Sequence, residues 1–141
     1  MEFLLYLSPQ GQQLIRDLIS AKFHIYENVG LCRGSKIFGY VQDPNRFIVC
    51  TKNIVNNGWD PHRYIGETVY HEAMHAAQIC NGSKSLGIGK RNMPLPSNKL
   101  QDINNSVKFV NDPSIFGREH EAYYFEDKPE KVRYYVRKFC F

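Results

Sequence analysis

The residues best suited to chemistry lie within one short stretch, His71-Glu72-Ala73-Met74-His75. The surrounding pattern predicts a helix, in which residues four apart share nearly the same face and lie about 6 Å apart along the axis. Two imidazoles at this spacing can bind one Zn²⁺ ion. Glu72 points roughly 100° away around the axis, beside the metal, where a base for a metal-activated water must lie. The spacing therefore predicts a zinc hydrolase with His71 and His75 as ligands and Glu72 as the catalytic base.

This motif is more specific than most short patterns, because histidine is a rare residue. The chain has 5 histidines among its 141 residues. At average composition, a chance match to the motif arises in roughly one chain of this length in a few hundred. The alternative interpretation is a helix whose two histidines are held by structural hydrogen bonds alone.

A catalytic zinc site usually has three protein ligands and a water molecule, so a third ligand is expected outside the motif. Glu119, His120 and Glu121 are three adjacent candidates in a downstream segment. With the H-E-x-x-H motif, this segment resembles the gluzincin branch of the zincin metallopeptidases, over about twenty of the 141 residues. In that branch the third ligand is a glutamate from a second helix, often followed by alanine and, about a turn later, by another acid. The resemblance implies Glu121, which precedes Ala122, as the third ligand, with Glu119 and His120 as alternatives.

Other residues near these candidates have more than one interpretation. Glu126 lies five residues after Glu121, where the gluzincin branch usually shows four, so its role stays open. Tyr123 or Tyr124 could donate a hydrogen bond to a substrate oxyanion, although half-buried core positions are the commoner case. His62 could reach the same oxyanion, but a surface position is favoured.

The resemblance implies a zinc-dependent metallopeptidase that hydrolyses peptide or protein substrates. One alternative is a catalytically silent zinc-binding domain that uses the same fold to bind a partner. Glu72 argues against that alternative, because metal binding alone does not require it. Another alternative is a zinc hydrolase acting on a non-peptide bond, because an activated water can attack many electrophiles.

The elements that position these residues are indicated by capping signals and apolar periodicity. Asp60 and Pro61 suit an N-cap and first helical position, and Asn81-Gly82 suits a helix end, so the active helix is predicted from Pro61 to Cys80. Four further helices are predicted: Ser8 to Phe23 with Ser8 as its cap, a short one within residues 97 to 107, Pro113 to Glu126, and one capped by Asp127 that starts near Lys128-Pro129. Gly87, Gly89, Pro94 and Pro96 indicate an extended loop before the short helix.

Three strands are predicted between the first helix and the active helix: His24 to Val29, Lys36 to Val41 and Arg46 to Thr51. The residues Gln42-Asp43-Pro44-Asn45 have the chemistry of a tight turn, which predicts a hairpin. The resulting fold class is α+β, a small antiparallel sheet packed on the active helix and followed by further helices, in one domain over residues 1 to 141. In zincins an edge strand pairs with the extended substrate, and either hairpin strand could be that edge.

Composition limits the partners and the location. The net charge is +4 with basic residues scattered along the chain, which gives little support for a nucleic-acid partner. The longest apolar run is far shorter than a membrane span, and no signal peptide is recognised, so we expect a cytoplasmic protein. In that compartment Cys32, Cys50, Cys80 and Cys140 are expected to be reduced and not to bind metal. The oligomeric state stays open.

Overall fold

A computed structural model describes residues 1–88 and 93–141 of the chain. These residues form six α-helices and a three-stranded sheet, so the fold is a mixed α+β arrangement dominated by helices. The helices are α1 (Pro9–Ser20), α2 (Thr51–Val55), α3 (Pro61–Cys80), α4 (Ser97–Val110), α5 (Phe116–Phe125) and α6 (Pro129–Cys140). The strands are β1 (His24–Glu27), β2 (Gly39–Gln42) and β3 (Arg46–Val49).

Helix α3 contains the H-E-x-x-H motif and begins and ends where the capping signals predict. The Asp60 side chain accepts a hydrogen bond from the His62 backbone N–H at its start, and Asn81 is its C-cap. Val69, Ala73 and Ala76 are fully buried on the side away from the motif histidines. This helix packs against α5, α6, β2 and β3, so the motif is held by contacts on several sides.

The sheet contains the predicted hairpin, but it is mixed and not antiparallel. Its strand order is β1-β3-β2, with β2 antiparallel and β1 parallel to β3. The prediction of an antiparallel sheet was wrong because β1 pairs in parallel with β3. Phe47, Ile48 and Val49 of the central strand are fully buried, whereas β2 is an edge strand that packs along α3.

Several boundaries differ from those that the sequence predicts. The third strand ends at Val49 and Thr51 begins the short α2, which the sequence pattern did not predict. The predicted helix from Pro113 is divided into a 3-10 turn, Pro113–Ile115, and α5. The N-cap of α6 is Lys128, without a side-chain cap bond, so the prediction that Asp127 caps this helix was wrong. The short helix before α5 is confirmed as α4, while Gly89 lies outside the described residues.

The four cysteines form two disulfides, Cys32–Cys50 and Cys80–Cys140. The expectation of four reduced thiols was therefore wrong. Their spacing gave no sign of the pairing, because each bond joins elements that meet only in the folded chain. The second disulfide joins the C-terminal ends of α3 and α6, which pack along each other.

Among the described residues, none of the helices has both the length and the apolar character required to cross a bilayer.

Candidate metal centre

Three side chains converge between α3 and α5 with the chemistry of a zinc site. Glu119 places one carboxylate oxygen 3.4 Å from His71 Nε2 and the other 3.1 Å from His75 Nε2. The ligand atoms of the three residues lie within 4.8 Å of one another. A tetrahedral zinc ion with bonds of about 2.0–2.1 Å separates its ligand atoms by roughly 3.3 Å. The donor types suit zinc, and the two histidine–carboxylate separations are close to this spacing.

The ring of His71 is fixed on two sides. Its Nδ1 lies 3.0 Å from a carboxylate oxygen of Glu126, and the Tyr123 ring packs against it edge-on with centroids 4.5 Å apart. An imidazole that donates from Nδ1 leaves the Nε2 lone pair for a metal. Glu126, whose role the sequence left open, therefore orients His71 toward Glu119.

His75 is oriented through an amide. Its Nδ1 lies 2.8 Å from Gln78 Oε1, while Gln78 Nε2 donates to the Arg118 carbonyl and to Glu121, both at 2.9 Å. Because Gln78 Nε2 serves two acceptors, Gln78 Oε1 must accept from His75 Nδ1–H. A proton is thus on Nδ1, and Nε2, which faces Glu119, is the nitrogen that a metal would bind in place of a proton.

Glu121, the third ligand implied by the resemblance, does not join the cluster. Its buried carboxylate accepts a hydrogen bond from Gln78 Nε2 at 2.9 Å. The Leu86 backbone N–H donates to the same carboxylate, at 2.9 Å from one oxygen and 3.0 Å from the other. His120 is also directed elsewhere, since its Nε2 donates to the Met93 carbonyl at 2.7 Å. The structure therefore brings Glu119, one of the alternatives, together with the two motif histidines, and leaves Glu121 outside their cluster.

Helix geometry explains why Glu119 and not Glu121 joins the histidines. Residues two apart on a helix point about 200° apart, so Glu119 and Glu121 reach different side chains of α3: Glu119 the motif histidines, and Glu121 Gln78. Glu119, Tyr123 and Glu126 are spaced i, i+4 and i+7, which places all three on one stripe of α5 toward the motif histidines. That stripe was visible in the sequence and could have identified Glu119 before the structure.

Glu72 lies beside the cluster as the free carboxylate of the cleft. It is 8% exposed and has no hydrogen-bond partner within residues 1–88 and 93–141. Burial raises the pKa of the Glu72 carboxyl, and the nearby His75 and His71 offset part of this rise. A buried carboxylate without a partner and with a raised pKa is a ready proton acceptor.

The electrostatics of the cluster favour a cation. Burial lowers the pKa of His71, but the Glu119 and Glu126 carboxylates outweigh burial and raise it to about 10. The pKa of His75 is raised too, with burial again opposed by Glu119. Glu72, Glu119 and Glu126 therefore make a negative environment that stabilises positive charge where a divalent metal would bind.

A cleft of about 1030 Å³ opens above these residues, bordered by β2, α3, α4 and α5. Tyr123 lines this cleft, whereas Tyr124 packs on Phe125 and Lys128. His62 contacts Tyr6 and is not part of the lining. Of the sequence candidates for an oxyanion donor, only Tyr123 therefore reaches the cleft.

A family model described as "Domain of unknown function (DUF8637)" matches residues 3–141. None of the curated proteins and none of the solved structures matches this chain.

Proposed function

Because the chain belongs to the DUF8637 family, a domain of unknown function, we propose its function from the site alone: it is a zinc-dependent metallopeptidase. The observation that carries this proposal is the convergence of His71, His75 and Glu119 beside an unpaired, buried Glu72. A structural metal site is usually closed by four protein ligands, whereas a catalytic site keeps a position open. Three donors that face a cleft favour the catalytic type.

In this proposal His71, His75 and Glu119 hold one Zn²⁺ ion. When bound, zinc polarises a carbonyl and lowers the pKa of a water molecule to about 7, far below that of bulk water. Glu72 accepts the proton of the attacking water and delivers it to the leaving amine. The Tyr123 hydroxyl, on the cleft wall beside His71, is the side chain suited to donate a hydrogen bond to the substrate oxygen that gains negative charge.

The substrate backbone is proposed to pair with β2. The Cys50 backbone N–H donates to the Phe38 carbonyl at 2.8 Å. In the antiparallel register, every second residue counted from Phe38 therefore forms backbone hydrogen bonds with β3. Gly39 and Val41 consequently direct their backbone N–H and C=O groups away from β3, toward the open side of the sheet. An extended peptide could add there as a further strand, beside Glu72. An edge strand over a metal-binding helix would make the fold zincin-like.

A close approach of β2 to the active helix supports this arrangement. A Cβ atom at Gly39 would lie 2.9 Å from the Thr68 side chain and 3.3 Å from Glu72 Cγ. Glycine at this position therefore allows the edge strand to lie directly against the proposed catalytic base. A peptide bound on that edge would bring its backbone close to the metal ligands.

The disulfides change the proposed location. The sequence predicted a cytoplasmic protein, but cytosolic thiols are normally kept reduced. Two disulfides are typical of proteins in oxidising compartments, so we propose that the protein works in such a compartment.

Glu72→Gln tests the function, because it keeps the size of the side chain and removes its basicity. We expect the variant to bind zinc normally and to cleave a mixed peptide library, read by mass spectrometry, about 10² to 10⁴ times more slowly. Cleavage at the wild-type rate would exclude Glu72 as the base. A folded, zinc-loaded wild-type protein that cleaves no peptide would exclude the peptidase and favour the silent domain or a non-peptide substrate.

A further inference from the structure

One end of the cleft has an aromatic platform formed by Phe38, Trp59 and Tyr64. The Tyr64 ring lies 5.0 Å from the Trp59 ring and 6.4 Å from the Phe38 ring, measured between centroids. The guanidinium of Arg63 lies over the Tyr64 ring at 5.1 Å. All four residues line the cleft, so the platform is a wall of the proposed active site.

The platform leaves apolar surface uncovered. Trp59 is 56% exposed although its ring contacts Tyr64. An isolated exposed aromatic residue needs no explanation, but adjacent rings on the wall of a cleft form a surface that can bury a ligand group. Aromatic walls accept apolar side chains well, because each ring removes a large area from water on contact.

The distance between the platform and the metal-binding motif indicates which residue of a bound peptide would contact the platform. Tyr64 precedes His71 by seven residues in α3, which is about 10 Å along the helix axis. An extended peptide advances about 3.3 Å per residue, so the platform lies about three residues from the reacting bond. Phe38 immediately precedes β2, and a peptide paired with Gly39 and Val41 would therefore extend toward the three rings.

We propose that this platform is a specificity subsite for an aromatic or large aliphatic side chain of the peptide substrate, about three residues from the bond that is cleaved. This inference rests on the proposed function and deepens it. A peptide is favoured over a sugar, which also stacks on tryptophan, because the outer edge of β2, which pairs with no strand among residues 1–88 and 93–141, leads directly to the platform.

Trp59 provides a direct probe, since it is the single tryptophan of the chain. Glu72→Gln protein loaded with zinc is titrated with decapeptide pools in which one position is fixed as Phe, Leu, Ala, Asp or Lys. We expect Phe and Leu at one position to shift Trp59 emission to shorter wavelength and to bind about tenfold more tightly than Ala or Asp. Equal binding of all pools, or a response to oligosaccharides and not to peptides, would overturn the subsite.

A second measurement uses cleavage by the wild type and two variants. Trp59→Ala should reduce the preference for Phe and Leu at that position about tenfold and leave the zinc content unchanged. Tyr134→Ala is the matched control, because Tyr134 is 55% exposed and contacts the Tyr135 ring at 5.2 Å, outside the cleft lining. Cleavage whose preference Trp59→Ala leaves intact would refute the subsite and keep the peptidase. Selective binding without any cleavage would refute the peptidase and keep the subsite as a peptide-binding surface.

Discussion

Glu119 and Glu121 are two residues apart in α5 and have different surroundings. Glu119 faces both motif histidines, and the hydrogen bonds with them outweigh burial and hold the pKa of its carboxyl well below its usual range. Glu121 is enclosed by Gln78 and the backbone of Leu86. The first is suited to hold a metal, and the second to keep His75 oriented through Gln78.

Substituting these two glutamates separates the roles. Glu119→Gln should lower zinc affinity by more than about 100-fold, because it removes the charged donor itself. Glu121→Gln should lower it by about 10- to 100-fold at most, the usual effect of losing a group that orients a ligand. Competition with a chromophoric chelator measures both affinities, and circular dichroism checks that each variant is folded. The opposite ranking of the two affinities would restore Glu121 as the ligand.

The contact between β2 and α3 depends on Gly39. We expect Gly39→Ala to reduce peptide cleavage at least tenfold with zinc retained, because the new methyl group must displace the Thr68 side chain, the Glu72 side chain or the strand itself. Gly66→Ala is the matched control within α3, where a Cβ atom would meet only Tyr70, at an ordinary 3.6 Å. That variant should keep its activity and gain about 0.5–1 kcal/mol of stability from helix propensity. Full activity in Gly39→Ala would show that the spacing of β2 and α3 does not matter.

Glu27 joins three elements at the end of β1. Its carboxylate accepts hydrogen bonds from Thr51 Oγ1 at 2.6 Å and from the Phe3 and Glu2 backbone N–H groups at 2.8 and 3.1 Å. Burial raises the pKa of the Glu27 carboxyl, but these bonds outweigh burial, and the pKa in the folded protein lies below the ordinary 4.5. The ionised form therefore stabilises the fold above that value, and this contribution is lost as the pH falls through the lowered pKa.

Glu27→Gln should consequently lower the free energy of unfolding by about 1 kcal/mol at pH 7, allowing for solvent screening of a partly exposed group. The difference from wild type should shrink as the pH falls below 4.5. Urea unfolding at pH 7 and at acid pH, on both proteins, measures it. A difference that stays constant with pH would mean that the charge on Glu27 contributes nothing.

The features predicted well from sequence are those fixed by neighbouring residues. The caps of α1 and α3 and the hairpin turn depend on local hydrogen bonds and turn chemistry, so short patterns reveal them. The parallel pairing of β1 with β3 depends on how the chain between them crosses the sheet. Which glutamate faces the motif histidines depends on how α5 is rotated about its axis. Neither is a property of a short segment. Only the i, i+4, i+7 stripe of α5 gave a local signal for that rotation.

At the scale of the whole molecule, the disulfides tie together elements far apart in sequence. Cys80 and Cys140 are 60 residues apart, and they join the helix of the metal-binding motif to the last helix. Cys32 and Cys50 are 18 residues apart and flank the hairpin. A longer closed loop restricts the unfolded chain more strongly, so the Cys80–Cys140 bond is expected to contribute more stability than the Cys32–Cys50 bond.

Paired substitution of each disulfide tests that expectation. Loop-closure entropy predicts that Cys80→Ser with Cys140→Ser lowers the free energy of unfolding by about 4 kcal/mol, and Cys32→Ser with Cys50→Ser by about 3 kcal/mol. Denaturant unfolding under non-reducing conditions measures both losses, and thiol titration of the unfolded wild type should find no free thiol. Both variants should still bind one zinc ion while folded, because the ligands are held by contacts between α3 and α5 and not by either bond. Four free thiols in the wild type would contradict both disulfides. Loss of zinc from a folded Cys80→Ser, Cys140→Ser variant would instead show that the bond itself positions α3.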